Sequence, residues 1–172
     1  MAHFTTTFDT PASAEATFAF LADFSNVEAW DPSVQRARRL DDPPIREGSR
    51  FEVVLSLAGR EIPFEYRITR HDPARRVVLE AENEWLRSLD TIDVEPRPRG
   101  ARVHYDADLR PQGLAYLFDL PLHLAFQIAG ARSARGLERA LERLAHGQDT
   151  LGPGSANPAA SPRKAAGERV DA

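Results

Sequence analysis

The chain has 172 residues, 42% hydrophobic and 28% charged, with a formal net charge of -4, which suits one globular domain with a real core. Cysteine is absent, so disulfides, thiolate nucleophiles and cysteine-based metal sites are excluded. Lys164 is the only lysine, which excludes lysine-base chemistry from the folded part, and the arginines alternate with acids instead of clustering, so no nucleic-acid partner is expected.

No apolar run reaches the length of a membrane span. The opening residues, MAHFTTTFDTP, carry neither the basic nor the apolar region of a signal peptide. The expected setting is therefore cytoplasmic, with no integral membrane segment.

Residues 3–10 mix Phe and Thr and read as a strand, with Phe4 and Phe8 on one face. Pro11 ends it, and Ser13 is a candidate N-cap for a helix carrying the stripe Ala14, Phe18, Leu21 and Ala22. A second short helical turn over 26–29 should stop at Trp30-Asp31-Pro32, because a residue before proline disfavours the helical region.

Residues 33–40 read as a strand. Residues 51–57 then alternate, with Phe51, Val53, Leu55 and Leu57 on one face, and after a turn at 58–60 Ile62, Phe64, Tyr66 and Ile68 do the same. Further strands are predicted over 76–82, 85–95 and 101–109, with PRPRG turning between the last two.

From Pro121 to Ala145 the pattern changes to helical. Leu137, Leu141 and Leu144 share a face, while Leu122, Leu124, Phe126 and Ile128 leave little polar surface. Pro121 suits a first turn and Gly147 a stop. Beyond it the Gly-, Pro-, Ala- and Ser-rich stretch 147–172 has no periodicity and reads as a disordered tail.

The order is one strand, two short helices, six strands and a long helix. Consecutive hairpins imply an antiparallel sheet, so the expected class is α+β, a seven-stranded sheet curved around the long helix. The domain is expected to span 1–146.

No nucleophile elbow, P-loop, dinucleotide fingerprint or zincin motif is present, and no metal or cofactor is implied. His104, Asp106, Asp108 and Arg110 share one face of the last strand; a metal or acid–base role competes with a solvated outer face, since Val103, Tyr105, Ala107 and Leu109 make the better inward set. His123 follows Asp119 by four residues, as a tuned proton donor or a helix-end contact.

Asp90 shares parity with Ser88, Ile92 and Val94. If that face is inward, Asp90 is a carboxylate beside apolar groups, fit for acid–base work or for orienting a ligand hydroxyl. Pairing with Arg132 or Arg135 is one alternative. The opposite parity, with Trp85 and Leu89 inward, is another. Trp30 and Tyr66 are the aromatics best placed to touch a ligand, against the simpler reading that Trp30 plugs the core. The small residues Ala129, Gly130, Ala131, Ser133, Ala134 and Gly136 either admit close backbone approach or leave room for a ligand.

Several strings, in this order, carry a family resemblance: Phe18-Ala19-Phe20-Leu21-Ala22-Asp23, Trp30-Asp31-Pro32-Ser33-Val34, Gly48-Ser49-Arg50-Phe51, Arg87-Ser88-Leu89-Asp90-Thr91-Ile92 and Gly100-Ala101-Arg102-Val103-His104-Tyr105. Over about residues 3–146 the chain resembles the START-like (SRPBCC) superfamily, which includes bacterial polyketide cyclase/dehydrase and lipid-transport proteins. The resemblance implies a helix-grip fold with an apolar cavity between sheet and long helix. It does not fix one activity.

Three functions follow as expectations. The first is capture of a hydrophobic or aromatic small molecule (lipid, quinone or polyketide-like), with Trp30, Phe51, Val53, Phe64, Tyr66, Ser88, Tyr105, Phe118, Phe126 and Gly130 as contacts. The second is a polyketide cyclase or dehydratase using Asp90, Tyr66 or His123. The third is a non-catalytic interaction domain with a filled core. A homodimer is compatible with each.

Overall fold

In the computed structural model, described over residues 2–57, 60–113 and 119–150, with side chains from 129 to 147 of the last helix, seven strands form one antiparallel sheet. They are β1 (Ala2–Thr10), β2 (Val34–Arg39), β3 (Arg50–Leu57), β4 (Arg60–Asp72), β5 (Arg76–Glu82), β6 (Leu86–Arg97) and β7 (Gly100–Pro111). Their spatial order is β1-β7-β6-β5-β4-β3-β2, so every strand-to-strand connection but the first joins neighbours. The sheet curls into a half-barrel against the C-terminal helix, the expected helix-grip architecture.

Helix α1 (Ala14–Ala22) starts where expected. The Ser13 side chain accepts the Ala16 N–H at 3.2 Å, satisfying one of the donors a helix start leaves open. Ala14, Phe18, Leu21 and Ala22 are buried, joined by Thr17. The second helical segment is a 3-10 turn over Phe24–Ala29, two residues longer than the sequence suggested, and the Asp23 side chain caps it by accepting the Ser25 N–H at 3.2 Å.

The strand that begins near 85 starts at Leu86. The Asn83 carboxamide oxygen accepts both the Trp85 and Leu86 N–H groups at 2.9 Å, which holds Trp85 in the turn, half exposed. Parity on β6 follows the first of the weighed alternatives: Leu86, Ser88, Asp90, Ile92 and Val94 are buried, while Arg87 is exposed and Leu89 half-buried. On β7 the buried set is Val103, Tyr105, Ala107 and Leu109. His104 is exposed and takes a 2.7 Å contact with Thr7, while Asp108 is held by His3 and Arg110.

Helix α2 (Asp119–Thr150) is longer than predicted at both ends. Its 32 residues span about 48 Å at 1.5 Å per residue. Pro121 still falls in the first turn, where its missing N–H breaks no bond. Gly147 does not stop the helix, so the boundary placed after 146 falls inside it; residues 151–172 of the predicted tail lie outside the described residues. The turn residues Ala58 and Gly59 also lie outside them.

Leu137, Ala140, Leu141 and Ala145 are the buried apolar face of α2, and the helix rests chiefly on β1. Close approach explains two of its small residues. A side-chain carbon on Gly136 would lie 1.9 Å from the Trp30 carbonyl oxygen, and one on Gly130 would lie 2.5 Å from the Phe4 ring. At Gly147 the same atom would meet nothing within 4 Å.

This contrast gives a paired test. Gly136→Ala should lose about 1–3 kcal/mol of unfolding free energy, because backbone must move to admit the methyl. Gly147→Ala should gain up to about 1 kcal/mol from helix propensity. Urea denaturation of the two variants checks the opposite signs; equal and small effects would mean α2 does not lie against the Trp30 carbonyl.

Candidate functional site

Between the concave face of the sheet and α2 lies a cavity of about 140 Å³. Its wall is mostly apolar: Phe4 from β1, Phe24, Val27 and Trp30 from the 3-10 segment, Val53, Leu55, Ile62 and Phe64 from the β3–β4 hairpin, and Leu86, Ala107 and Leu109 from β6 and β7. Helix α2 contributes Ala129, Gly130, Ser133, Ala134 and Leu137.

Three strands build a polar chain at one side of this wall. The Tyr66 hydroxyl donates to Ser88 Oγ at 3.0 Å, Ser88 Oγ donates to Asp90 Oδ2 at 3.0 Å, and the Tyr105 hydroxyl donates to Asp90 Oδ1 at 2.6 Å. Register explains each reach. Tyr66 pairs with Ala81 and Ala81 with Ser88, so a methyl-sized neighbour leaves the phenol free to span two strand spacings, roughly 9–10 Å. Asp90 pairs with Leu79 on one side and Ala107 on the other, and Tyr105 is its diagonal neighbour across β7.

Asp90 is only 4% exposed, and no cation pairs with it among the described residues. Arg132 and Arg135 instead line a surface groove with Arg139 and Arg143 that meets the cavity wall at Trp30, Asp31 and Val34, so the ion pair weighed as an alternative does not form. Burial pushes the Asp90 carboxyl up to about 6; the hydrogen bonds from Tyr105 and Ser88 pull the other way, and the negative Asp31 adds to the rise. Burial and the Asp90 charge push the Tyr66 and Tyr105 phenols well above their usual range, so both stay protonated.

Asp31 faces the same cavity. Its Oδ1 accepts the Ser33 N–H at 2.8 Å and the Ser33 hydroxyl at 2.6 Å. In the sequence Asp31 had no role of its own beyond the break at Trp30-Asp31-Pro32 and a place in a family string; the side-chain turn that Asp and Ser form two residues apart was the readable signal.

Of the candidate contacts, Trp30, Val53, Phe64, Tyr66, Ser88, Tyr105 and Gly130 line the cavity. Trp30 also packs, its indole meeting the Tyr105 ring edge-on at 5.9 Å. Phe51 does not line it: fully buried, it lies edge-on to Phe24 at 6.4 Å, behind the wall. Gly130 leaves less space than expected, because the Phe4 ring occupies the room its missing side chain leaves. Phe118 and the side chains of His123 and Phe126 lie outside the described residues. Phe4, Phe24 and Asp31 were not foreseen as wall residues.

A family model described as polyketide cyclase/dehydrase and lipid transport matches residues 1–146. The chain belongs to this family. Among solved structures, the ZhuI aromatase/cyclase from Streptomyces sp. R1128 is similar at 13% identity, covering 88% of this chain and 98% of that one, with a TM-score of 0.69. A START superfamily protein from Mycobacterium smegmatis is 16% identical over 84% and 99%, with a TM-score of 0.62, and a protein from Thermus thermophilus is 16% identical over 81% and 96%, with a TM-score of 0.65. At these identities the likeness carries the helix-grip fold. No curated protein sequence matches the chain. No helix among the described residues is long and apolar enough to cross a membrane.

The Asp90 environment sets a pH dependence with a definite sign. Its folded value, about 6, lies above its ordinary 3.8. Its stabilising contribution is therefore full below pH 3.8 and declines as pH rises through about 6, by about 3 kcal/mol in all. Surface carboxylates such as Asp9 and Glu52, held low by hydrogen bonds from Arg102 and Arg38, act in the opposite direction. Comparing Asp90→Asn with the parent isolates the buried group: relative to the parent, the variant should gain unfolding free energy steadily between pH 4 and 7. A difference that is flat with pH would show that Asp90 is not buried without a counter-charge.

Proposed function

We propose that this protein binds a hydrophobic or aromatic small molecule in the cavity between sheet and α2. The observation that carries the reading is an apolar space left unfilled inside the fold, with one cluster of polar groups on its wall. A cavity of about 140 Å³ compares with apolar cavities of roughly 150 Å³ that admit benzene. The enclosed part of the ligand is therefore one ring or a short branched chain. Burying about 100 Å² of ligand surface contributes about 2.5 kcal/mol, so hydrogen bonds to the Tyr66–Ser88–Asp90–Tyr105 chain must set orientation and much of the selectivity. The same reading assigns the binding unit to the family-matched span, residues 1–146.

A second reading is supported by Asp90 itself. A carboxyl titrating near pH 6 beside an apolar cavity, with no ion-pair partner among the described residues, is matched to proton transfer at neutral pH. In a cyclisation or dehydration, Asp90 would take a proton from a carbon next to a ketone and return one to a departing hydroxyl, with about 10²–10⁴-fold of the rate at stake. Tyr66 and Tyr105 would hold the carboxylate in place rather than act as bases, since their phenols stay protonated.

Native mass spectrometry of the purified full chain, with extraction of any bound molecule, tests the binding reading together with thermal-shift titrations of toluene, indole and simple quinones. At least one probe should raise the midpoint, and Ala134→Leu, which directs a larger side chain from α2 into the cavity, should weaken it about tenfold or more. Nothing extracted and no shift with any probe would leave the filled-core reading.

A further inference from the structure

The hydroxyls of Tyr66, Ser88, Tyr105, Ser33 and Ser133 on the cavity wall share one property: their protons are already committed, which leaves Thr6 and Ser56 as the other hydroxyls there. A carboxylate can only accept, so Ser88 must donate to Asp90, and Tyr66 in turn to Ser88. Tyr105 donates to the other oxygen of Asp90. The Ser33 hydroxyl is spent on Asp31, and the Ser133 hydroxyl on the Ala129 carbonyl. What these groups still present is lone pairs and negative charge.

The titratable groups that face Asp90 are Tyr66 from β4, Tyr105 from β7 and Asp31 from the segment after the 3-10 turn. Helix α2, β1, β2 and β3 add none among the described lining residues. Two carboxylates thus line an apolar space with no basic side chain among its described lining residues; Asp31 also borders the outer groove, which holds Arg132, Arg135, Arg139 and Arg143. The rest of the wall includes the rings of Trp30, Tyr66, Tyr105, Phe24 and Phe64, whose faces attract cations.

We infer that the cavity selects a ligand whose enclosed end is a protonated amine on a small hydrophobic or aromatic body, with Asp90 and Asp31 as its counter-charges. This inference rests on the reading of the cavity as a ligand site and adds the charge class of the ligand. An ammonium brings three donors to the acceptors around Asp90, and it offsets the cost of a buried carboxylate that has no cation among the described residues. A carboxylate or phosphate in the same place would meet two like charges and find its hydroxyl partners taken.

Benzylamine and benzyl alcohol separate the two levels of the argument, since they match in size and differ in charge. Calorimetric titration at pH 7.5 should give benzylamine an affinity at least about tenfold above benzyl alcohol. The ratio should shrink as pH falls from 7 to 5, where Asp90 takes up its proton while a primary amine keeps its own. In Asp90→Asn and in Asp31→Asn the ratio should drop severalfold; a ratio measured within one variant cancels any general loss of the cavity. Benzyl alcohol binding as tightly as benzylamine, or a ratio unchanged in both variants, would overturn the inference and leave the cavity reading standing. Binding of neither probe would remove both.

Discussion

A carboxylate buried in an apolar wall, with no cation beside it among the described residues, is the constraint that the rest of the site accommodates. Asp90 stands in a cross-strand row with Phe4, Ala107, Leu79 and Ile68, none of which offers it a hydrogen bond. Its two donors come from off that row: Ser88 two residues back along β6, and Tyr105 on the diagonal. The two tyrosines of the chain depend on small neighbours, since Ala81 and Ala107 leave the room through which Tyr66 reaches Ser88 and Tyr105 reaches Asp90. A domain is stable by only about 5–15 kcal/mol, so a group that withholds about 3 kcal/mol at neutral pH is a large concession for a fold to carry.

The space in front of Asp90 exists because α2 changes character along one face. From Ala129 to Ala134 the inward residues are small; from Leu137 onward Leu137, Ala140 and Leu141 fill the interior. The helix is locked against moving in to close the gap. At one point the Trp30 carbonyl meets its backbone at Gly136, and at another the Phe4 ring meets it at Gly130. Two close contacts thus hold a rod away from the strands between them, and close-packed interiors do not relax readily across such a gap. The glycines that looked like room for a ligand are spacers, and the room lies between them.

Alternation was the part of the fold most legible in the sequence. The strands of period two and the leucine stripe of α2 were readable because each element buries one face, whereas the side on which Asp90 lies stayed open between Ile92 and Val94 inward and Trp85 and Leu89 inward until the structure decided it. The chain of hydrogen bonds was not readable, because it depends on which residue of β7 stands beside Asp90 and on Ala81 lying between Tyr66 and Ser88, and register between strands leaves no mark in a single strand's pattern. Phe51 shows the same limit in reverse. It shares parity with Val53, yet it packs edge-on against Phe24, and Phe24 is the one of the two that lines the cavity, a fact of the 3-10 segment's path and not of β3. Gly147 misled because a glycine ends a helix only where the backbone has reason to turn, and here it continues to Thr150.

The direction of the protons in the Tyr66–Ser88–Asp90–Tyr105 chain links this packing to chemistry. While Asp90 is ionised, every hydroxyl must point toward it, and the site is an acceptor throughout. Once Asp90 takes a proton it becomes a donor as well as an acceptor, and that proton must find an acceptor in Ser88, by reversal of that bond, or in the cavity. If the Ser88 bond reverses, Ser88 Oγ accepts from both Asp90 and Tyr66, and its own proton is freed to turn toward the cavity. A single proton near pH 6 therefore alters the hydrogen-bonding character of a wall assembled from three strands, without any element of the sheet having to move.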